Sequence, residues 1–155
     1  MSGEAARAEI AELVYAYAER IDGGDFAGVA ELLADAEVTA DGTDRRWRGR
    51  DEVLRLYESG TRRHEDGTPR TKHVTTNLVV DVDEAAGTAT ARSYYTVLQA
   101  VPGALALQPV VAGRYRDRFE QAGGRWRFAG RHLVVDLVGD LGHHLLFDLP
   151  DGEGS

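Results

Sequence analysis

The chain has no cysteine among its 155 residues, which removes disulfides, thiolate nucleophiles, iron-sulfur clusters and cysteine-bound zinc from consideration together. Its stability must come from packing. No stretch approaches the ~18 consecutive apolar residues of a membrane-spanning helix, and the opening Met1-Ser2-Gly3-Glu4 lacks the basic and apolar regions of a secretory signal. A cytoplasmic location with no membrane partner is the expectation. Positive charge is in deficit as well, with 18 Lys and Arg against 26 Asp and Glu for a formal net charge of -8. A field of that sign repels nucleic acid and anionic lipid, so a small, mostly apolar molecule is the better-fitting partner. Metal-binding spacings of the H-x-x-x-H or H-E-x-x-H kind are also missing. His132, His143 and His144 lie near Asp136 and Asp140 in sequence, but the adjacent His143 and His144 point in different directions on any regular element. They read as surface or subunit-contact residues, and no metal is expected.

What is present, 43% hydrophobic and 28% charged residues, suits a single soluble domain over residues 1–150, with 151–155 as a flexible tail. Ile10, Leu13, Val14, Tyr17 and Ile21 form a helical stripe from Glu4 to Ile21. Gly23-Gly24 ends it, Asp25 can cap a second helix, and Phe26, Val29, Leu32 and Leu33 give that helix its own face. A short strand is expected at Glu37 to Ala40 and another around Trp47, within the cluster Arg45-Arg46-Trp47-Arg48, and a third helix after Gly49. Beyond the polar stretch Thr61 to Arg70 the period changes to two. Strands are expected at Lys72 to Val82, Thr88 to Gln99, Val110 to Glu120 and Arg125 to Val135, with Gly113 and Gly130 marking bulges or bends. Helices followed by a run of antiparallel strands imply an α+β fold, helices packed on one face of a strongly curved sheet. Leu141, Leu145, Leu146 and Phe147 should pack the first half of the tail.

The residue types that carry chemistry centre on His73, at the start of a strand in Thr71-Lys72-His73-Val74-Thr75-Thr76-Asn77. An imidazole changes charge near neutral pH and serves as a general base when a pocket holds it. Asp22 closes the first helix and could reach its second ring nitrogen. Tyr17 and Asp22 differ in direction by ~140° around an ideal helix at ~100° per residue, so both can address one pocket only if the Gly23-Gly24 break turns Asp22 inward. Arg92, Arg114 and Arg131 lie on strands amid apolar neighbours, where they either point outward or stabilise an anion inside.

The layout resembles the SnoaL-like branch of the nuclear transport factor two (NTF2)-like superfamily, a cone-shaped α+β barrel with a pocket between helices and sheet. The resemblance rests on the order of Tyr15-Ala16-Tyr17-Ala18-Glu19-Arg20-Ile21-Asp22 with Asp25-Phe26, Gly49-Arg50-Asp51-Glu52-Val53, Thr71 to Asn77, Gly113-Arg114-Tyr115, and Gly124-Arg125-Trp126-Arg127-Phe128 with Arg131. It spans nearly the whole chain. Scytalone dehydratase, bile-acid dehydratase and hexachlorocyclohexane dehydrochlorinase share this layout, and their paired Asp and His match Asp22 and His73. Tyr17 corresponds to a Tyr or Lys of the latter two enzymes, and Arg131 to their late-strand Arg. The second catalytic His of scytalone dehydratase has no counterpart, since Leu98 or a neighbour stands there.

The resemblance implies a cofactor-independent lyase or isomerase, dehydratase-like, with no metal, flavin or nicotinamide. In it His73 takes a proton, Asp22 orients His73, Tyr17 hydrogen-bonds the substrate oxygen and Arg131 stabilises negative charge. Val14, Trp47, Leu54, Tyr57, Tyr95 and Val97 would line a pocket for a ring-bearing apolar substrate, with Arg92 and Arg114 as lesser candidates. An aromatic polyketide cyclase centred on an Asp, and a non-catalytic subunit like the β subunits of ring-hydroxylating dioxygenases, are the alternatives. A homodimer or homotrimer is implied by resemblance alone.

Overall fold

The structure, a computed structural model, describes residues 3–149; the expected tail at 151–155 lies outside the described residues. Three helices precede four long strands. The first helix, α1 (Gly3–Asp22), buries Ala6, Ile10, Val14, Tyr17, Ala18 and Ile21, the stripe that the 3.6-residue period requires. It stops because Gly24 takes φ +73, a conformation open to glycine, and a Cβ there would lie 2.0 Å from the Gly67 carbonyl oxygen. In α2 (Phe26–Leu32) the Asp25 carboxylate accepts the Gly28 N–H at 2.8 Å, capping the first turn. Phe26, Val29 and Ala30 are buried, followed by Leu33 just past the helix. The third helix, α3 (Gly49–Gly60), buries Val53 and Tyr57.

The strands are β1 (Glu37–Ala40), β2 (Trp47–Arg48), β3 (Thr71–Asp83), β4 (Thr88–Val101), β5 (Leu105–Ala122) and β6 (Arg125–Val138). They form one sheet in the order β2-β1-β6-β5-β4-β3. Among the described residues only β1 and β6 run parallel; every other pair is antiparallel. The helices pack on the sheet's inner face, α1 against β3 and β6 and α2 against α3, and the core lies between these layers. This is the expected α+β architecture, helices on a curved sheet.

Two expectations change in detail. Strand β5 starts at Leu105 rather than Val110, because Pro109 sits opposite Leu98 at a register shift, where the missing N–H interrupts no regular ladder. Strand β6 runs on to Val138, leaving Val135, Leu137 and Val138 exposed.

Bulges decide which side chains face the core. The β3–β4 register slips between Thr76 and Val79, where Asn77 has φ +53, a left-handed conformation that Asn tolerates better than other non-glycine residues. Before the slip Thr71 and His73 turn inward; after it Leu78, Val80 and Val82 do. A second slip in β6 leaves Ala129 without a partner between Phe128 and Gly130. Phe128 and Arg131 are therefore both buried although they lie three residues apart. At Gly113, a Cβ would fall 1.9 Å from the Val134 carbonyl oxygen and 2.5 Å from the Tyr95 hydroxyl, so only glycine lets the Tyr95 ring cross β5.

Candidate active site

Asp22 is the last residue of α1, and the break after it aims its carboxylate at the start of β3. The His73 Nδ1–H donates to Asp22 Oδ1 at 2.6 Å, the His73 backbone N–H donates to Oδ2 at 2.8 Å, and the Thr71 hydroxyl donates to Oδ1 at 2.9 Å. Three donors therefore fix the carboxylate. The His73 and Asp22 side chains are only 8% and 10% exposed, which shields the pair from solvent competition. Burial by itself raises the Asp22 carboxyl, but the hydrogen bonds from His73 and Thr71, with the attraction of the His73 ring when it is protonated, outweigh it, and the net shift is downward. With Nδ1 bearing the proton, His73 Nε2 is left with its lone pair.

A second polar group lies deeper. Arg131 and Asp117, both fully buried, form a bidentate pair with two bonds of 2.8 Å. The guanidinium lies 4.1 Å from the Tyr17 ring centre and 3.8 Å from that of Tyr115, an arrangement suited to the planar, weakly hydrated Arg cation. The Tyr17 hydroxyl is hydrogen-bonded to that of Tyr57. Burial raises the Tyr17 phenol despite the opposing charge of Arg131, and burial with Tyr17 as neighbour raises Tyr57. Both remain protonated donors. Tyr95 stacks on Tyr115 at 4.5 Å and donates its hydroxyl to the Val134 carbonyl. No hydrogen bond or ion pair among the described residues joins this cluster to the Asp22–His73 pair.

Of the expected lining residues, Val14 and Val97 are buried in the same core, and Leu54 and Trp47 pack partly buried against it. Arg92 and Arg114 are corrections. Ser93 and Tyr95 take the inward positions of β4, so Arg92 and Tyr94 point out, and Arg114 pairs with Asp136 through two bonds of 2.9 Å. These arginines border an outer groove of about 470 Å³ together with Tyr94 and Arg116, across the sheet from His73.

The sequence reading passed over three side chains and misassigned a fourth. Thr71 shares a face with His73 by the two-residue period, and Asp117 lies opposite Arg131 in register; both carried a signal of spacing. Gln99 donates to the Pro69 and His143 carbonyls, each at 2.9 Å, with nothing in the sequence to announce it. His144 corrects the assignment of His143-His144 to the surface. It is 6% exposed, and its ring lies edge-on to that of His73 with 6.1 Å between centres. The other histidines have separate bonds: His132 to Thr39 and Asp41, both at 2.7 Å, and His64 to the His143 carbonyl at 2.9 Å.

Among curated protein sequences none matches the chain. Among solved structures, Rv3472 of Mycobacterium tuberculosis, a protein of unknown function, is 29% identical with a TM-score of 0.67, covering 86% of this chain and 72% of that one. An NTF2-like protein with a cystatin-like fold from Novosphingobium aromaticivorans is 25% identical with a TM-score of 0.68, covering 83% and 80%. LinA is similar in fold, at 22% identity and TM-score 0.68 over 94% and 95%. The family model described as the SnoaL-like domain matches residues 5–132, and the chain belongs to that family.

Proposed function

We propose that the protein is a cofactor-independent lyase or isomerase that removes a proton beside a carbonyl or similar activating group. The observation that carries this reading is the 2.6 Å bond from His73 Nδ1–H to Asp22, with the carboxylate's other oxygen held by the His73 backbone. Asp22 is kept ionised and holds His73 in the tautomer whose Nε2 accepts a proton; the imidazolium then forms beside a fixed negative charge. The same contact weighs against a non-catalytic subunit, which has no need of an intact pair. It also weighs against a cyclase centred on Asp22, whose two oxygens already accept three hydrogen bonds.

Two hydroxyls share one hydrogen bond between Tyr17 and Tyr57, so one phenolic proton is left to donate to a substrate oxygen. Asp117 engages Nε and Nη2 of Arg131 and leaves Nη1 without a partner among the described residues, while the guanidinium lies against the Tyr17 ring. Its charge eases the development of negative charge at the phenol. Val14, Leu54, Val97 and Trp47 would favour a small, apolar, ring-bearing substrate.

The test is hydrogen-deuterium exchange at the α-carbons of a panel of cyclic ketones in D2O, read by NMR, because exchange requires neither the true leaving group nor the product. His73→Ala and Asp22→Asn should each slow enzyme-dependent exchange by about 10²–10⁴-fold. Exchange at the wild-type rate in His73→Ala would refute the assignment.

A further inference from the structure

The segment after β6 folds back over the start of β3 and is tied down at several points. The His143 carbonyl accepts from His64 Nε2–H and from the Gln99 amide, the His144 carbonyl accepts the Arg62 N–H at 2.8 Å, and the Leu146 N–H donates to the Gly60 carbonyl at 3.0 Å. Thr61 and Leu145 add a β-bridge. These bonds hold backbone groups and leave the His144 side chain free for another use. That side chain is buried beside His73, and its Nδ1 has no hydrogen-bond partner among the described residues. A buried ring nitrogen without a partner costs about 1–3 kcal/mol unless something else fills the role. The titratable groups that act on it are His73 from β3, Asp22 from α1 and His64 from the loop after α3.

We propose that His144 is the second acid/base group of the site, acting on the oxygen of the substrate from which His73 has taken a proton. The proposal rests on the reading of His73 as the base. At 6.1 Å between centres the two rings do not bond directly, yet both can reach one small bound molecule. In an elimination of water, His73 Nε2 takes the α-proton, and the C–H electron pair becomes the new double bond. The β C–O bond breaks with its electrons on oxygen, and His144 gives that oxygen its N–H proton to release water. The proton held on His73 then passes to His144, so both imidazoles end neutral. Burial keeps His144 uncharged near neutral pH, as this relay requires.

Benzisoxazoles test this without the natural substrate. A base takes the ring C–H proton, the N–O bond breaks, a nitrile forms and a phenolate leaves, so the need for an acid rises with the basicity of the phenolate. In His144→Leu, which removes the donor and keeps an apolar side chain in place, kcat/KM for unsubstituted benzisoxazole should fall about 100-fold, while that for the 5-nitro compound falls less than about 5-fold. His144→Asn, which restores an N–H donor, should recover part of the loss. An equal fall for both compounds, as a merely loosened tail would give, overturns the proposal. His73→Ala should abolish both rates; if it leaves them unchanged, the reading of His73 as the base fails, whereas the leaving-group dependence reports on His144 alone.

Discussion

Removing Asp117 should harm this protein more than removing Asp117 and Arg131 together. Both side chains are fully buried, and the guanidinium lies against the rings of Tyr17 and Tyr115, which meet at 76°, with Asp117 as its bidentate partner. Burial disfavours the charged form of Arg131, but the Asp117 carboxylate overrides this and holds the group protonated. Asp117→Leu would strand a cation in the core, at a cost of about 3–5 kcal/mol for a broken buried pair. Against a typical total of roughly 5–15 kcal/mol, that approaches unfolding. With a urea m-value of about 2 kcal/mol/M, the midpoint should drop by about 2 M. The double variant Asp117→Leu/Arg131→Met removes both charges and should lie within about 1–2 kcal/mol of the parent. Equilibrium urea unfolding monitored by Trp fluorescence measures both. A single variant within about 1 kcal/mol of the parent would refute the view that this pair is isolated from water. If Arg131 also acts through Tyr17, the folded double variant should lose kcat for ketone exchange while KM stays close to the parent value.

Two further outcomes follow from the same packing. Acidification should destabilise the fold in two steps. Above pH 6.5 His144 is neutral in both states; below it the unfolded chain takes up a proton that the folded chain refuses until about pH 4, so stability falls through this window by up to about 3 kcal/mol. The Asp22 carboxyl, lowered in the folded state, stabilises above its unfolded value of 3.8 and loses that contribution as pH falls further. Urea unfolding of the parent and His144→Leu from pH 7.5 to 4.5 should show a shallower slope in the variant; parallel slopes would contradict the burial of this imidazole. Separately, Gly113→Ala should lower stability by about 2–3 kcal/mol or more, since the added Cβ meets a backbone oxygen at 1.9 Å that no rotamer can avoid. A thermal melt within about 2 °C of the parent would count against that close approach.

The helices were legible because their signals are local. Ile10, Val14, Tyr17 and Ile21 repeat at helical spacing, and Asp25 caps where a capping residue was expected. The start of β5 was not legible, because Pro109 within the stretch before Val110 argues against a strand until β4 supplies a partner at the register shift opposite Leu98. The pairing of Asp22 with His73 came from resemblance, since helix geometry alone sets Tyr17 and Asp22 on different faces. The structure keeps that separation: Tyr17 turns into the core toward Tyr57, while Asp22 turns across the helix end toward β3. His144 was misread because adjacent histidines in a polar tail carry no periodicity, and its burial depends on where residues far back in the chain accept the tail's backbone.

The three strand arginines show why periodicity was insufficient where the chemistry lies. Strict alternation from Leu78, Val80 and Val82 backward along β3 would send His73 to the outer face. Alternation from Trp126 and Phe128 forward along β6 would do the same to Arg131. In each strand one additional residue reverses the parity, at Asn77 in its left-handed conformation and at Ala129 beside Gly130. Arg92 and Arg114 lie on stretches without such a reversal between them and the inward Tyr95 and Tyr115, so they remain outside. His73 and Arg131 thus reach the interior through irregularities of the sheet, whereas Ser93 and Asp117 lie on the regular alternation of β4 and β5. A bulge lets a strand present an apolar face to the core along most of its length and still deliver one imidazole or one guanidinium to the interior. The apolar pattern keeps the fold stable while the reversed segments carry the polar groups that the proposed proton transfer would use, each compensated by its own carboxylate: Asp22 for His73 and Asp117 for Arg131.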